Sequence, residues 1–147
     1  MARAPYQVLI FPYSKDEQGC IEYALFQRSD GNYWQAIAGG GEKGETPDEA
    51  ARREIQEEAG IPKSCDITTL DSKAYIPVIS VTGEYTWGDD VFVIPEYTFG
   101  VEVNNKHLKL SDEHEAYRWV NYEEAMKMLK WDSNKNALWE LNERLTG

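Results

Sequence analysis

The sequence predicts an α/β protein in which a mixed β-sheet lies between helical layers, and three observations predict it. β-Prone apolar runs lie on both sides of one sharply capped central helix. Two further helical segments follow near the C-terminal end, and no internal repeat, linker or low-complexity tract divides the 147 residues. That length suits one ordinary domain with room for a core, so residues 1–147 are expected to form a single domain.

The elements follow in order. Residues 6–13 and 21–27 are apolar, β-prone runs separated by the polar turn SKDEQG, and are expected to be neighbouring strands. Arg28 ends the second run and opens the loop RSDGNYWQAIAGG. A cation there is placed either for a phosphate or simply as a solvated strand end. Tyr33 and Trp34 precede the glycines, and Trp34 is read as a packing anchor under the loop.

A glycine-rich stretch then feeds a short acidic helix. Gly39, Gly40, Gly41 and Gly44 are expected to form a loop that approaches a ligand closely and uses positive φ. Thr46 is a good N-cap, Pro47 suits the first helical position, Glu49 completes a capping box and Gly60 provides a left-handed stop. Ala51, Ile55 and Ala59 form the core stripe, while Glu54, Glu57 and Glu58 share the opposite face. Carboxylates at such spacing repel by a few tenths of a kcal/mol per pair. They are either a solvated acidic face behind incidental glycines or donors for a hard divalent cation. Mg²⁺ takes one or two carboxylates, keeps waters and shares phosphate oxygens.

Beyond the helix, residues 66–80 are β-rich with a break at Pro77, residues 83–90 read as an exposed turn carrying Tyr85 and Trp87, and residues 91–103 alternate as another strand. The exposed aromatics suit either a stacked ring or a partner surface. Residues 116–120 read as a short strand with Trp119 inward. Asn121 caps a helix over residues 122–129, with Glu124 at the capping-box position. The last helix, residues 133–145, carries Ala137, Leu138, Leu141 and Leu145 at core spacing, with Trp139 off that stripe. Trp131, just before it, either packs at a rim or borders the cleft. His114 is read as a hydrogen-bonded strut and His107 as exposed.

Gly39, five residues, Glu45, seven residues, Arg53-Glu54-Ile55, one residue, Glu57-Glu58, one residue, Gly60-Ile61 fills every fixed position of the Nudix box, which this stretch resembles. The resemblance implies the α/β/α Nudix fold and Mg²⁺- or Mn²⁺-dependent hydrolysis of a nucleoside diphosphate linked to another group. Carried over by position, Glu54, Glu57 and Glu58 become metal ligands, and Arg53 pairs with Glu45 to brace loop against helix. The Ala38 carbonyl is implied as a further metal contact; Ala38 itself departs from the glycine or proline common there. Gly39 and Gly40 would receive the substrate, and Arg28, in a Gln-Arg pair common in similar enzymes, would hold phosphate. Residues 110–145 resemble the tail of dihydroneopterin triphosphate pyrophosphatases, which makes Glu113 a candidate fourth carboxylate. General-base duty is open among Glu57, Glu58 and Glu113.

The net charge of −11, without a basic run, argues against a nucleic-acid polymer or an anionic membrane as partner. It also suggests that a phosphorylated substrate arrives with its metal. Two well-separated cysteines and the lack of a signal-like or ~20-residue apolar stretch suggest a cytoplasmic protein with reduced thiols. The expected substrate is a small nucleotide or pterin triphosphate cleaved to monophosphate and pyrophosphate. Dinucleoside polyphosphates and nucleotide sugars such as ADP-ribose are enzymatic alternatives. A nucleotide-sensing module without turnover is the non-enzymatic one, and the resemblance allows a homodimer.

Overall fold

A computed structural model describes residues 2–147. Seven strands form one mixed sheet. They are β1 (Arg3–Lys15), β2 (Ile21–Arg28), β3 (Trp34–Gln35), β4 (Ile37–Glu42), β5 (Ile67–Pro77), β6 (Val93–Glu102) and β7 (His114–Val120). The main path runs β3-β2-β1-β6-β5, with β4 added on β1 and β7 on β2. Of the pairings between these strands, β1–β6 is parallel and the others are antiparallel. The helices are α1 (Pro47–Ala59), α2 (Val78–Thr82), α3 (Tyr122–Met128) and α4 (Asp132–Thr146).

Alternation along β1 divides the core between the two faces of the sheet. Val8 and Ile10 join Ala51, Ile55 and Ala59 of α1 on one side. Leu9 and Phe11 join Leu129 and the α4 residues Ala137, Leu138 and Leu141 on the other. This is the α/β/α arrangement expected from the sequence. The turn at Asp16 also forms as read, with its carboxylate accepting the Gln18 and Cys20 amides and Gly19 at φ 83°.

Local signals are realised at both ends of α1. Thr46 accepts the Glu49 amide, the Glu49 carboxylate accepts the Thr46 amide in return, and Gly60 is left-handed at φ 67°. Asn121 caps α3 through the Glu124 amide. Three expectations are corrected. Gly39, Gly40 and Gly41 lie in β4, because the paired backbone of β1 extends them; only Gly44 of that set has positive φ (87°). α2 is an added turn of helix after the Pro77 break. Trp87 is half-buried, folded back so that its indole N–H donates to the Arg3 carbonyl at 2.9 Å. Among the described residues, no helix is long and apolar enough to cross a membrane.

Candidate active site

β4 is the hinge of the site. Its glycines leave the strand bare: a Cβ on Gly39 would strike the Glu54 carboxylate, one on Gly40 the Arg3 guanidinium, and one on Gly41 the Tyr6 ring. A cleft of about 850 Å³ passes along this strand. That volume is in the range of small-molecule sites. It is lined by Ala38, Gly39 and Gly40, by Glu54, Glu57 and Glu58 from α1, and by Arg28 and Glu113 across from them. The topology therefore gathers these expected site residues on one cleft.

The α1 carboxylates do not share one solvent face as the helical wheel suggests. Glu54 and Glu58 are buried, at 7% and 5% exposure, while Glu57 is exposed. The reason is that this flank of α1 lies against β4 and the residues before β7. Burial pushes the Glu54 carboxyl up to about 7, although Arg53 opposes this. Burial also raises Glu58, with Ser111 opposing and Glu113 adding to the rise. The Ser111 hydroxyl donates to Glu58.

Arg53 organises the turn between β4 and α1. Its Nε and Nη2 reach the two Glu45 oxygens at 2.8 and 3.0 Å, and Nη2 also donates to the Gly40 carbonyl at 2.9 Å. Nη1 contacts Glu54 at 2.9 Å and Glu57 at 3.2 Å. Glu45 in turn accepts the Glu42 amide at 2.9 Å. Pairing with Glu45 holds the guanidinium well above the usual arginine range and the Glu45 carboxyl below the carboxylate range.

Glu113 is positioned by the end of β2: Ser29 donates its amide to the Glu113 carbonyl and its hydroxyl to the Asp112 carbonyl, each at 3.0 Å. Arg28 lines the cleft but is engaged. It makes a two-point pair with Asp30 at 3.0 and 2.7 Å and approaches Glu113 at 3.8 Å. His114 is not the expected hydrogen-bonded strut. It is buried beside Phe26, neither ring nitrogen has a partner among the described residues, and burial, then Arg28, lowers its pKa.

Among the cleft residues missed in the sequence are Arg3 and Glu96. Arg3 donates to Gln7 at 2.6 Å and faces Gly40; nothing local marks it, since its place depends on β1 pairing with β4. Glu96 is a buried acid in β6, and a charge inside an otherwise apolar run was the unused signal. Trp131 meets Tyr33 edge-on at the cleft rim, 5.6 Å between ring centroids, and thus borders the cleft.

The donor set fits a hard divalent cation. Hard cations take carboxylate oxygens, and two of these carboxylates are desolvated without a full complement of positive charge around them. The side chain missing at Gly39 leaves the space that Glu54 fills. Glu54 and Glu57 accept from Arg53 and Glu58 accepts from Ser111; among the described residues no three acidic, His or Cys side chains form a ready metal site.

A family model for the NUDIX domain matches residues 4–140. The chain belongs to the Nudix family. It is a Nudix hydrolase acting on a phosphoric anhydride, as the box implied. It is 27% identical over 138 residues to dihydroneopterin triphosphate diphosphatase of Escherichia coli, covering 92% of this chain and 91% of that one. It is 31% identical over 127 residues to the asymmetrical bis(5'-nucleosyl)-tetraphosphatase of Mus musculus, covering 86% and 82%. A solved structure from Listeria monocytogenes bearing the same family name is 40% identical, with a TM-score of 0.86 and coverage of 97% and 94%. The solved E. coli dihydroneopterin triphosphate pyrophosphohydrolase, at 24% identity and TM-score 0.77, shares the fold.

Proposed function

We propose that this Nudix hydrolase is a divalent-cation-dependent pyrophosphohydrolase that cleaves a nucleoside or pterin triphosphate to the monophosphate and pyrophosphate. The observation that carries the reading is the junction of acidic cleft and bare strand: Glu54, Glu57, Glu58 and Glu113 border the same space as Gly39 and Gly40. Glu54, Glu57 and Glu58, with Glu113 and the Ala38 carbonyl nearby, would hold Mg²⁺ or Mn²⁺. When bound, the cation supplies charge neutralisation for adjacent phosphates and a more acidic water.

The chain's own residues do the rest. Arg53, fixed by Glu45, holds β4 against α1 and offsets the repulsion between Glu54 and Glu57, which share its Nη1. β4 lets the phosphates approach the backbone at Gly39 and Gly40, where no side chain intervenes. Arg3 and Arg28 supply cationic contacts, Arg28 after release from Asp30. A carboxylate among Glu57, Glu58 and Glu113 takes the proton of the attacking water; such help contributes ~10²–10⁴-fold. Glu58 is the strongest candidate, being buried and held by Ser111 beside Glu113.

The whole chain is taken as one domain acting on a small phosphorylated molecule in the cytoplasm, and its two free cysteines suit that compartment. The mouse relative supports a second reading, hydrolysis of dinucleoside polyphosphates. Pyrophosphate release from nucleoside and pterin triphosphates, against nucleotide release from dinucleoside polyphosphates and ADP-ribose, with and without Mg²⁺, separates the two. Pyrophosphate and a monophosphate from triphosphates supports the first reading; turnover confined to dinucleoside polyphosphates overturns it.

A further inference from the structure

The cleft has a second acidic group, on the opposite face of the sheet from α1. Glu96 sits in β6 between β1 and β5, paired with Gln7 on one side and Ala74 on the other. It is 6% exposed and lines the cleft, and its Oε1 has no hydrogen-bond partner among the described residues. Burying a carboxyl group without partners is costly, so a native structure that does so invites a ligand explanation. Burial raises the pKa of Glu96 and the Ser133 side chain opposes the rise, yet Oε1 keeps no partner among the described residues. Asn134, which lines the same cleft, spends its side-chain oxygen on the Ala36 amide at 2.9 Å.

Register gives the distance. Gly40 pairs with Gln7, and Gln7 with Glu96, so the bare strand and the acid lie in one row across three strands. Two strand spacings put them about 10 Å apart. That is the span between the inner phosphates of a nucleoside triphosphate and the far edge of its ring. Tyr33 and Trp131 stand at the rim of the same cleft, where a flat ring would need apolar walls.

We propose that Glu96 is a specificity-determining residue whose carboxylate accepts the paired N–H donors of a 2-amino-4-oxopyrimidine edge, the edge common to guanine and pterins. A carboxylate has acceptors only, so it matches a ring N–H beside an amino group and mismatches adenine, which offers one donor and one acceptor. This deepens the triphosphate reading and rests on it for the orientation of the substrate.

The test compares kcat/KM for GTP, dihydroneopterin triphosphate, ITP and ATP in the wild type and in Glu96→Gln. The wild type should favour GTP or the pterin over ATP by about 10–100-fold, with ITP, lacking the amino group, between them. Glutamine offers one acceptor and one donor, so Glu96→Gln should erase that preference and raise the relative rate on ATP, a gain that misfolding cannot produce. Calorimetric binding of non-hydrolysable GTP and ATP analogues with Mg²⁺ reads the same selectivity without turnover. Selective binding without hydrolysis would refute the triphosphatase reading and leave the role of Glu96 standing. A GTP-to-ATP ratio near one in the wild type, or unchanged in Glu96→Gln, would overturn the proposal.

Discussion

Arg53 grips both carboxylate oxygens of Glu45, at 2.8 and 3.0 Å, and with the same guanidinium reaches the Gly40 carbonyl at 2.9 Å. One side chain thus ties the turn before α1 to the strand along which the cleft runs. Lysine has a point charge and no fork, so Arg53→Lys keeps the charge and loses the geometry. Lost charge-assisted bonds of about 1–3 kcal/mol should lower Tm by roughly 3–10 °C. Activity should fall further than stability, because Gly40, Glu54 and Glu57 lose a common anchor. A Lys variant equal to wild type in Tm and kcat would show that the brace is incidental.

Gly39→Ala isolates carboxylate placement from folding. Gly39 lies in extended backbone without positive φ, so alanine is conformationally acceptable there. The three atoms nearest to its Cβ all belong to the carboxylate end of Glu54. The variant should therefore fold, with Tm within a few degrees of wild type, while displacing a proposed metal ligand. We expect Mn²⁺ affinity and kcat to fall by about 10-fold or more, in line with the loss of well-placed metal-site groups. Thermal melts beside steady-state kinetics check this; unchanged kinetics would remove Glu54 from the site.

The far side of the sheet supplies a pH prediction. Burial opposes charge on Glu140, but the Asp71 and Ser72 amides, each at 2.7 Å, and Arg144 at 2.8 Å outweigh it and hold its pKa down to about 2. A lowered folded-state pKa gives stability that is present above the ordinary value of 4.5 and is lost as pH falls towards 2. The shift corresponds to an upper figure of about 3 kcal/mol. Glu140→Gln should therefore melt well below wild type at pH 6, and the gap should close in acid. A gap independent of pH would place the effect in packing.

Trp131 lies 44% exposed against Tyr33, with the Lys130 ammonium 4.7 Å from both ring centroids. As a wall for the substrate ring it should contribute mainly to binding. Trp131→Ala should raise KM by about 5–150-fold, a stacking contribution of about 1–3 kcal/mol, with kcat little changed. The opposite split, kcat lost at constant KM, would assign it to the chemical step.

What the sequence made legible was local. The caps of α1, the left-handed Gly60 and the spacing of Ala51, Ile55 and Ala59 depend on neighbours within a few residues, and they came out as read. The box likewise placed Glu45 against Arg53. Long-range pairing was not legible. Glycines read as loop formers at Gly39 to Gly41 became strand because β1 supplies their partners, a tertiary override of weak propensity. The pairing of β1 with β4 and β6 alone aligns Arg3, Gly40, Gln7 and Glu96. The burial of Glu54 and Glu58 depends on the residues before β7 lying over α1, which no helical wheel contains.

We propose that the acidic flank of α1 holds a divalent cation against a phosphoric anhydride. Mn²⁺ titration followed by water-proton relaxation, in wild type and in the variant carrying Glu54→Gln, Glu57→Gln and Glu58→Gln together, tests it most directly. Saturable binding by the wild type is expected, tightened by a non-hydrolysable triphosphate, and lost in the triple variant with the fold retained by circular dichroism. Equal Mn²⁺ binding by both proteins would contradict it.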